Sequence, residues 1–174
     1  MKRLVCLLVF LVAGAAWAQA PKPPAELKQL DPFLGTWSCK GTVYKSDFGP
    51  EHPTSFTVKS TWSLGGQWLR TDYAEMKTAK NPSPMTGLGL MGYDADAKKF
   101  VGGWVDNTGM YQTQQSDGWM GDTIIFVGPT HGAGMTGMTG KDTFVKKSAS
   151  HFDHVFEIEN KGSWMKVESD SCKK

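Results

Sequence analysis

Ser55-Phe56-Thr57-Val58-Lys59-Ser60-Thr61-Trp62-Ser63-Leu64-Gly65-Gly66-Gln67-Trp68-Leu69-Arg70 is the stretch whose reading decides the fold. Phe56, Val58 and Trp62 share one parity, while Thr57, Lys59, Thr61 and Ser63 share the other. That alternation is a strand with one face on a core and one in water. Gly65-Gly66 then reads as a two-residue hairpin turn whose two positions both take positive φ, and Gln67 to Met76 returns antiparallel.

Working outward, the same grammar repeats. Ala25 to Leu30 is a short helix with Leu27 and Leu30 on one side, ended by Asp31-Pro32. Beyond it helical periodicity disappears. Trp37 to Tyr44, Ser55 to Leu64, Gln67 to Met76, Thr86 to Tyr93, Lys99 to Asp106, Met110 to Gln115, Thr123 to Val127, Thr143 to Lys147, His151 to Ile158 and Ser163 to Ser171 are strands. A proline-rich loop at 81–84 and a glycine-rich loop from Gly128 to Gly140 are the longer connections. The expected fold is all-β: a closed antiparallel up-and-down β-barrel of about ten strands with a short N-terminal helix.

Lys2-Arg3, an apolar run from Leu4 to Ala16 and the small-residue pattern Ala16-Trp17-Ala18 read as a secretory signal peptide over 1–18. Residues 19–24, with Pro21, Pro23 and Pro24, read as an extended leader, and 25–174 as one barrel domain. The chain is thus expected to be periplasmic or secreted, with no membrane span. Lysine and arginine number 19 against 17 acidic residues. Lys2 and Arg3 account for the whole excess, so the chain beyond them is neutral. A neutral surface without a basic stripe argues against nucleic acid, whose affinity comes largely from phosphate neutralisation.

Phe33-Leu34-Gly35-Thr36-Trp37, the hairpin Trp62 to Arg70, Gly92-Tyr93-Asp94 and Trp104-Val105-Asp106 recur here in an order and spacing that resemble a family of uncharacterised, often secreted bacterial proteins. That family belongs to the lipocalin-like, or calycin, group and is distantly similar to nitrobindin. The resemblance implies a closed barrel and no agreed activity. In nitrobindin-like barrels a histidine late in the chain holds haem; here the last strand, Ser163 to Ser171, contains none.

Among ionisable side chains, His154 shares its parity with Phe152, Phe156 and Ile158, which points it inward. Two readings stand: a contact to a ligand or to a haem iron, or a core histidine satisfied by hydrogen bonds. Arg70 is the sole arginine beyond Arg3; it either offers its fork of donors to a carboxylate inside the barrel or pairs at the surface with Asp72 or Glu75. Trp62, Trp68 and Trp104 either wall a pocket or fill a solid core. His131, Met135 and Met138 carry the soft and imidazole ligands that select copper(I), set against a plain flexible loop. No Gly-x-Ser-x-Gly, His-Glu-x-x-His, Cys-x-x-Cys or phosphate-binding loop is present, so no sequence pattern favours an enzyme and no cofactor can be named.

Cys39 and Cys172 are the cysteines left beyond the signal segment, and a disulfide between them would staple the first strand to the last. Parity resists it: Cys39 goes with Trp37, but Cys172 goes with Lys166 and Glu168, so a bulge or a frayed end is required. The expected function is non-covalent binding of a small apolar or amphipathic molecule, with Trp62, Trp68 and Trp104 as wall and Arg70 and His154 as polar contacts. The alternatives are a haem protein or enzyme using His154, and a filled barrel acting as an interaction module.

Overall fold

The computed structural model describes residues 21–79 and 81–174; the signal-peptide reading of 1–18 lies outside them. A 3₁₀ helix over Ala25–Phe33 leads into eleven strands: β1 Gly35–Val43, β2 His52–Ser63, β3 Trp68–Glu75, β4 Thr86–Asp94, β5 Lys99–Asp106, β6 Tyr111–Ser116, β7 Trp119–Met120, β8 Thr123–His131, β9 Met138–Ser148, β10 His151–Asn160 and β11 Ser163–Lys173. Every pairing is antiparallel. Consecutive strands pair from β1 through β6 and from β8 through β11, β11 returns to β1, and β6 pairs directly with β8. Ten strands therefore close into an up-and-down barrel, and two-residue β7 is a side arm on β8.

Cys39 and Cys172 lie directly opposite one another in the β1–β11 ladder, 4.0 Å apart at Cα, and are joined as a disulfide. The parity conflict is resolved by a bulge. Phe156 pairs with Glu168 but Glu157 with Lys166, leaving Val167 without a partner across the ladder. Met165 and Val167 face the interior before the bulge, and Glu168, Asp170 and Cys172 face it afterwards. A one-residue insertion flips the face of everything that follows.

The helix plugs one end of the barrel. Leu27, Leu30 and Phe33 are buried in a cluster with Trp37, Phe100, Ile124 and Phe152. Three indole N–H groups tie the plug to the strands: Trp37 to the Phe33 carbonyl at 2.8 Å, Trp62 to Asp31 at 3.1 Å and Trp119 to the Gln29 carbonyl at 2.8 Å. Asp31-Pro32 does not end the helix as expected, because 3₁₀ geometry accepts proline in the second position of a closing turn, here sealed by Leu34 N–H on the Asp31 carbonyl.

Two further expectations are corrected. The connection at Gly65-Gly66 is a four-residue loop over 64–67, since Ser63 pairs with Trp68; Leu64 joins the two glycines at positive φ. The segment from Gly128 to Gly140 is largely strand, with the loop confined to 132–137. Gly128 and Gly140 face each other across β8 and β9. A Cβ at Gly128 would stand 2.0 Å from the Thr113 carbonyl oxygen, so glycine there serves close backbone approach between β8 and β6 rather than chain flexibility.

Candidate functional site

Behind the plug, the inward side chains leave a cavity of about 950 Å³ that runs to the loops of the opposite end. Much of its wall is apolar: Phe56, Trp104, Phe126, Phe144 and Phe152 line it, with Met85 and Met110 nearer the loops. Trp104 lies flat against β4, where a Cβ on Gly87 would come within 2.2 Å of its ring. Its ring edge meets Tyr73 at 5.5 Å between centroids, and its N–H donates to Asp106 at 3.0 Å.

A belt of polar groups crosses the same cavity. On β10 the His154 ring stacks on Phe144 at 4.7 Å and reaches a carboxylate on each side: Nε2 to Asp142 at 2.8 Å, Nδ1 to Asp170 at 3.2 Å. The other Asp142 oxygen accepts from Gln112 at 3.0 Å and Gln114 at 2.6 Å. Burial alone would lower the imidazole's pKa, but the two aspartates outweigh it and raise it to about 10. His154 is therefore a cation at neutral pH, donating both N–H groups.

Glu168 is pushed the other way in charge. Burial, then the neighbouring Asp170, raise its pKa to about 8 against the pull of His154, so it is mostly a neutral carboxylic acid at pH 7. Burial and the carboxyls of Glu168, Glu75 and Asp170 raise the Tyr73 phenol as well. Several buried polar atoms here have no partner among the described residues: Tyr73 Oη, Gln112 Oε1, Thr130 Oγ1, Glu168 Oε1 and Asp170 Oδ1. Buried polar atoms are normally paired. Glu75, by contrast, is saturated: it accepts from Thr54, from Asn81 and from the Met85 backbone N–H, fastening the proline-rich loop to the cavity rim.

Of the five residues expected to contact a ligand, the cavity brings together His154 and Trp104. Trp62 has the inward parity but is used by the plug. Trp68 faces outward, its ring lying over Gly92 and lining a groove on the outer surface with Leu90, Val101 and Val127. Arg70 also faces outward and forks onto Asp72, with Nη2 at 2.7 Å from Oδ1. The cause is register: Leu69, fully buried, and Tyr73 take the inside of β3, which sends Trp68, Arg70 and Asp72 to the outside. Glu168 and Asp170 were hidden by the bulge in β11, although the parity conflict at Cys172 is its trace. Asp142 shares the parity of Phe144 but fell one residue outside the strand expected from Thr143.

His154 does not suit haem iron, because both ring nitrogens are committed to aspartates and neither presents a free lone pair to the cavity. In the copper-type segment, His131 stacks on Tyr111 at 4.8 Å while Met135 is buried with Phe156, Ile158 and Val167; these are packing roles. Among the described residues no group of His, Cys, Asp and Glu has an arrangement that could hold a metal ion, and no helix is long and apolar enough to cross a membrane.

The family model for a protein of unknown function, DUF1579, matches residues 22–171. No curated protein matches the chain. Among solved structures, the crystal structure of Rv2717c from M. tuberculosis is similar, with a TM-score of 0.68 at 13% identity, over 88% of this chain and 99% of that one. At that identity the likeness is one of fold.

Proposed function

Because the chain belongs to this family of proteins of unknown function, DUF1579, we propose a function from the site itself: an exported barrel that binds a small amphipathic molecule non-covalently in its cavity. The observation that carries this reading is a space of about 950 Å³, at the upper end of the range of small-molecule sites, walled by aromatic and methionine side chains and furnished with a few polar groups. A filled interaction module has no use for such a space. An enzyme or haem reading gains nothing from His154, whose two nitrogens are both occupied. A calycin or nitrobindin-like kinship belongs to the same proposal, supported by the closed barrel with its internal cavity. So does export, supported by a disulfide that persists in oxidising compartments.

Trp104 is the reporter. Titration with a medium-chain alkanol should quench tryptophan fluorescence, and Trp104→Phe should remove most of that quench, whereas Trp68→Phe, on the outer face, should keep it. If Trp68→Phe abolishes the quench and Trp104→Phe does not, the molecule binds outside the barrel and the reading fails.

A further inference from the structure

We propose that the cavity selects amphiphiles with a cationic, hydrogen-bond-donating head, a primary amine or a related group, seated against Glu168 beside Tyr73, with the apolar tail running past Trp104 toward the methionines at the open end. The inference rests on the binding reading above and deepens it by naming the ligand's charge.

Charge balance points this way. Six carboxyl side chains line the cavity, Asp47, Glu75, Asp106, Asp142, Glu168 and Asp170, and among the described residues no lysine or arginine does. The one strongly held interior cation, His154, is consumed by Asp142 and Asp170. Arg70, the group that would have welcomed a carboxylate, stands on the other side of the wall. An anionic head would meet carboxyls with no free cation to offset them, which in a low-dielectric interior is costly.

The unpaired atoms point the same way, and independently. Glu168 Oε1 and Tyr73 Oη are buried and without partners among the described residues, and Glu168 is the first of the carboxyls whose charge acts on the Tyr73 phenol; Tyr73 is 8% exposed. Carboxyl oxygens only accept while Glu168 is ionised, and a phenol oxygen can accept as well. An ammonium suits both acceptors. The other three unpaired atoms face the wall: Asp170 Oδ1 would lie 2.1 Å from a Cβ on Gly41, and Thr130 Oγ1 and Gln112 Oε1 2.6 and 3.0 Å from one on Gly140, so Asp170 contributes charge rather than a direct contact.

Seating an ammonium also settles the state of Glu168. At neutral pH its carboxyl holds a proton; the incoming cation favours the carboxylate, so the proton leaves to solvent while the ammonium keeps its own three. Asp170, Glu75 and Asp142 oppose that ionisation and His154 favours it. Binding therefore releases protons below about pH 8 and strengthens as pH rises toward that value.

The test compares decylamine, 1-decanol and decanoate, matched in chain length, on the full folded protein by calorimetry in two buffers of different ionisation enthalpy. The expected order is amine over alcohol by about tenfold or more, with decanoate weakest, and close to one proton released per amine at pH 7. Glu168→Gln should narrow the amine-over-alcohol preference by about tenfold and abolish the proton release. Equal binding of all three probes, or amine binding without proton release, overturns the charge inference and leaves the binding reading standing. No binding by any of the three overturns the binding reading itself.

Discussion

At the scale of single residues, the chemistry of this barrel is set by two interior groups whose protons are held more tightly in the folded chain than in the unfolded one. Glu168 moves from 4.5 to about 8 and His154 from 6.5 to about 10. Where the folded state binds more protons, stability falls as pH rises. The contribution of His154 is complete below about pH 6.5 and is lost as pH climbs through 10; the cost of ionising Glu168 accumulates between 4.5 and 8. Both shifts therefore lower stability in the same direction as pH rises. The melting temperature should thus decline steadily from pH 5 to pH 10, and Glu168→Gln should flatten the part below pH 8 and raise the melting temperature at pH 8. A wild-type melting temperature that does not vary with pH would contradict the assignment. His154 itself was legible from alternation along one strand. Its partners were not, since a ladder neighbour depends on register and register is a property of the pair.

At the scale of elements, the tryptophans divide their labour. Trp37, Trp62 and Trp119 hold the helical plug, Trp104 lines the cavity, Trp68 lies outside over Gly92, and Trp164 is half exposed beneath the Lys141 ammonium at 4.1 Å. Replacing Trp62 or Trp119 by Phe keeps a large ring and removes one N–H bond to the plug, a loss of about 1 kcal/mol each. Hydrogen exchange over 25–33 should speed up in both variants while exchange in β10 is unchanged. Equal acceleration in both places would mean that the plug and barrel open as one unit. Strand and turn signals located most elements. The glycines at 128 and 140 misled because glycine marks both loops and tight strand crossings, and only a neighbouring backbone distinguishes the two.

For the whole molecule, closure depends on β1 meeting β11, and the Cys39–Cys172 bond joins residues 133 apart in sequence. Cross-linking so long a loop restricts the unfolded chain strongly, so reduction, or the double change Cys39→Ala with Cys172→Ala, should cost about 2–5 kcal/mol by urea unfolding. If stability is unchanged, the β1–β11 ladder and the core close the barrel unaided. The same closure produces the cavity. Ten strands enclose more space than their inward side chains fill here, with Gly89 and Gly102 adding no bulk to the wall.

Sequence alone determined the class and size of the fold, the up-and-down order of the strands, the pairing of the two cysteines and the inward aim of His154. Each of these follows from a period of two, from turn residues or from the count of cysteines, all of which are local or combinatorial. Only the tertiary structure decided that Trp68 and Arg70 stand outside, that Asp142, Glu168 and Asp170 gather around His154, and that the interior is hollow and acidic. A bulge at Val167 and the register of β3 against its neighbours set these outcomes. A shift of one residue exchanges the two faces of a strand, and its energy lies in packing across the barrel rather than in any segment of the chain.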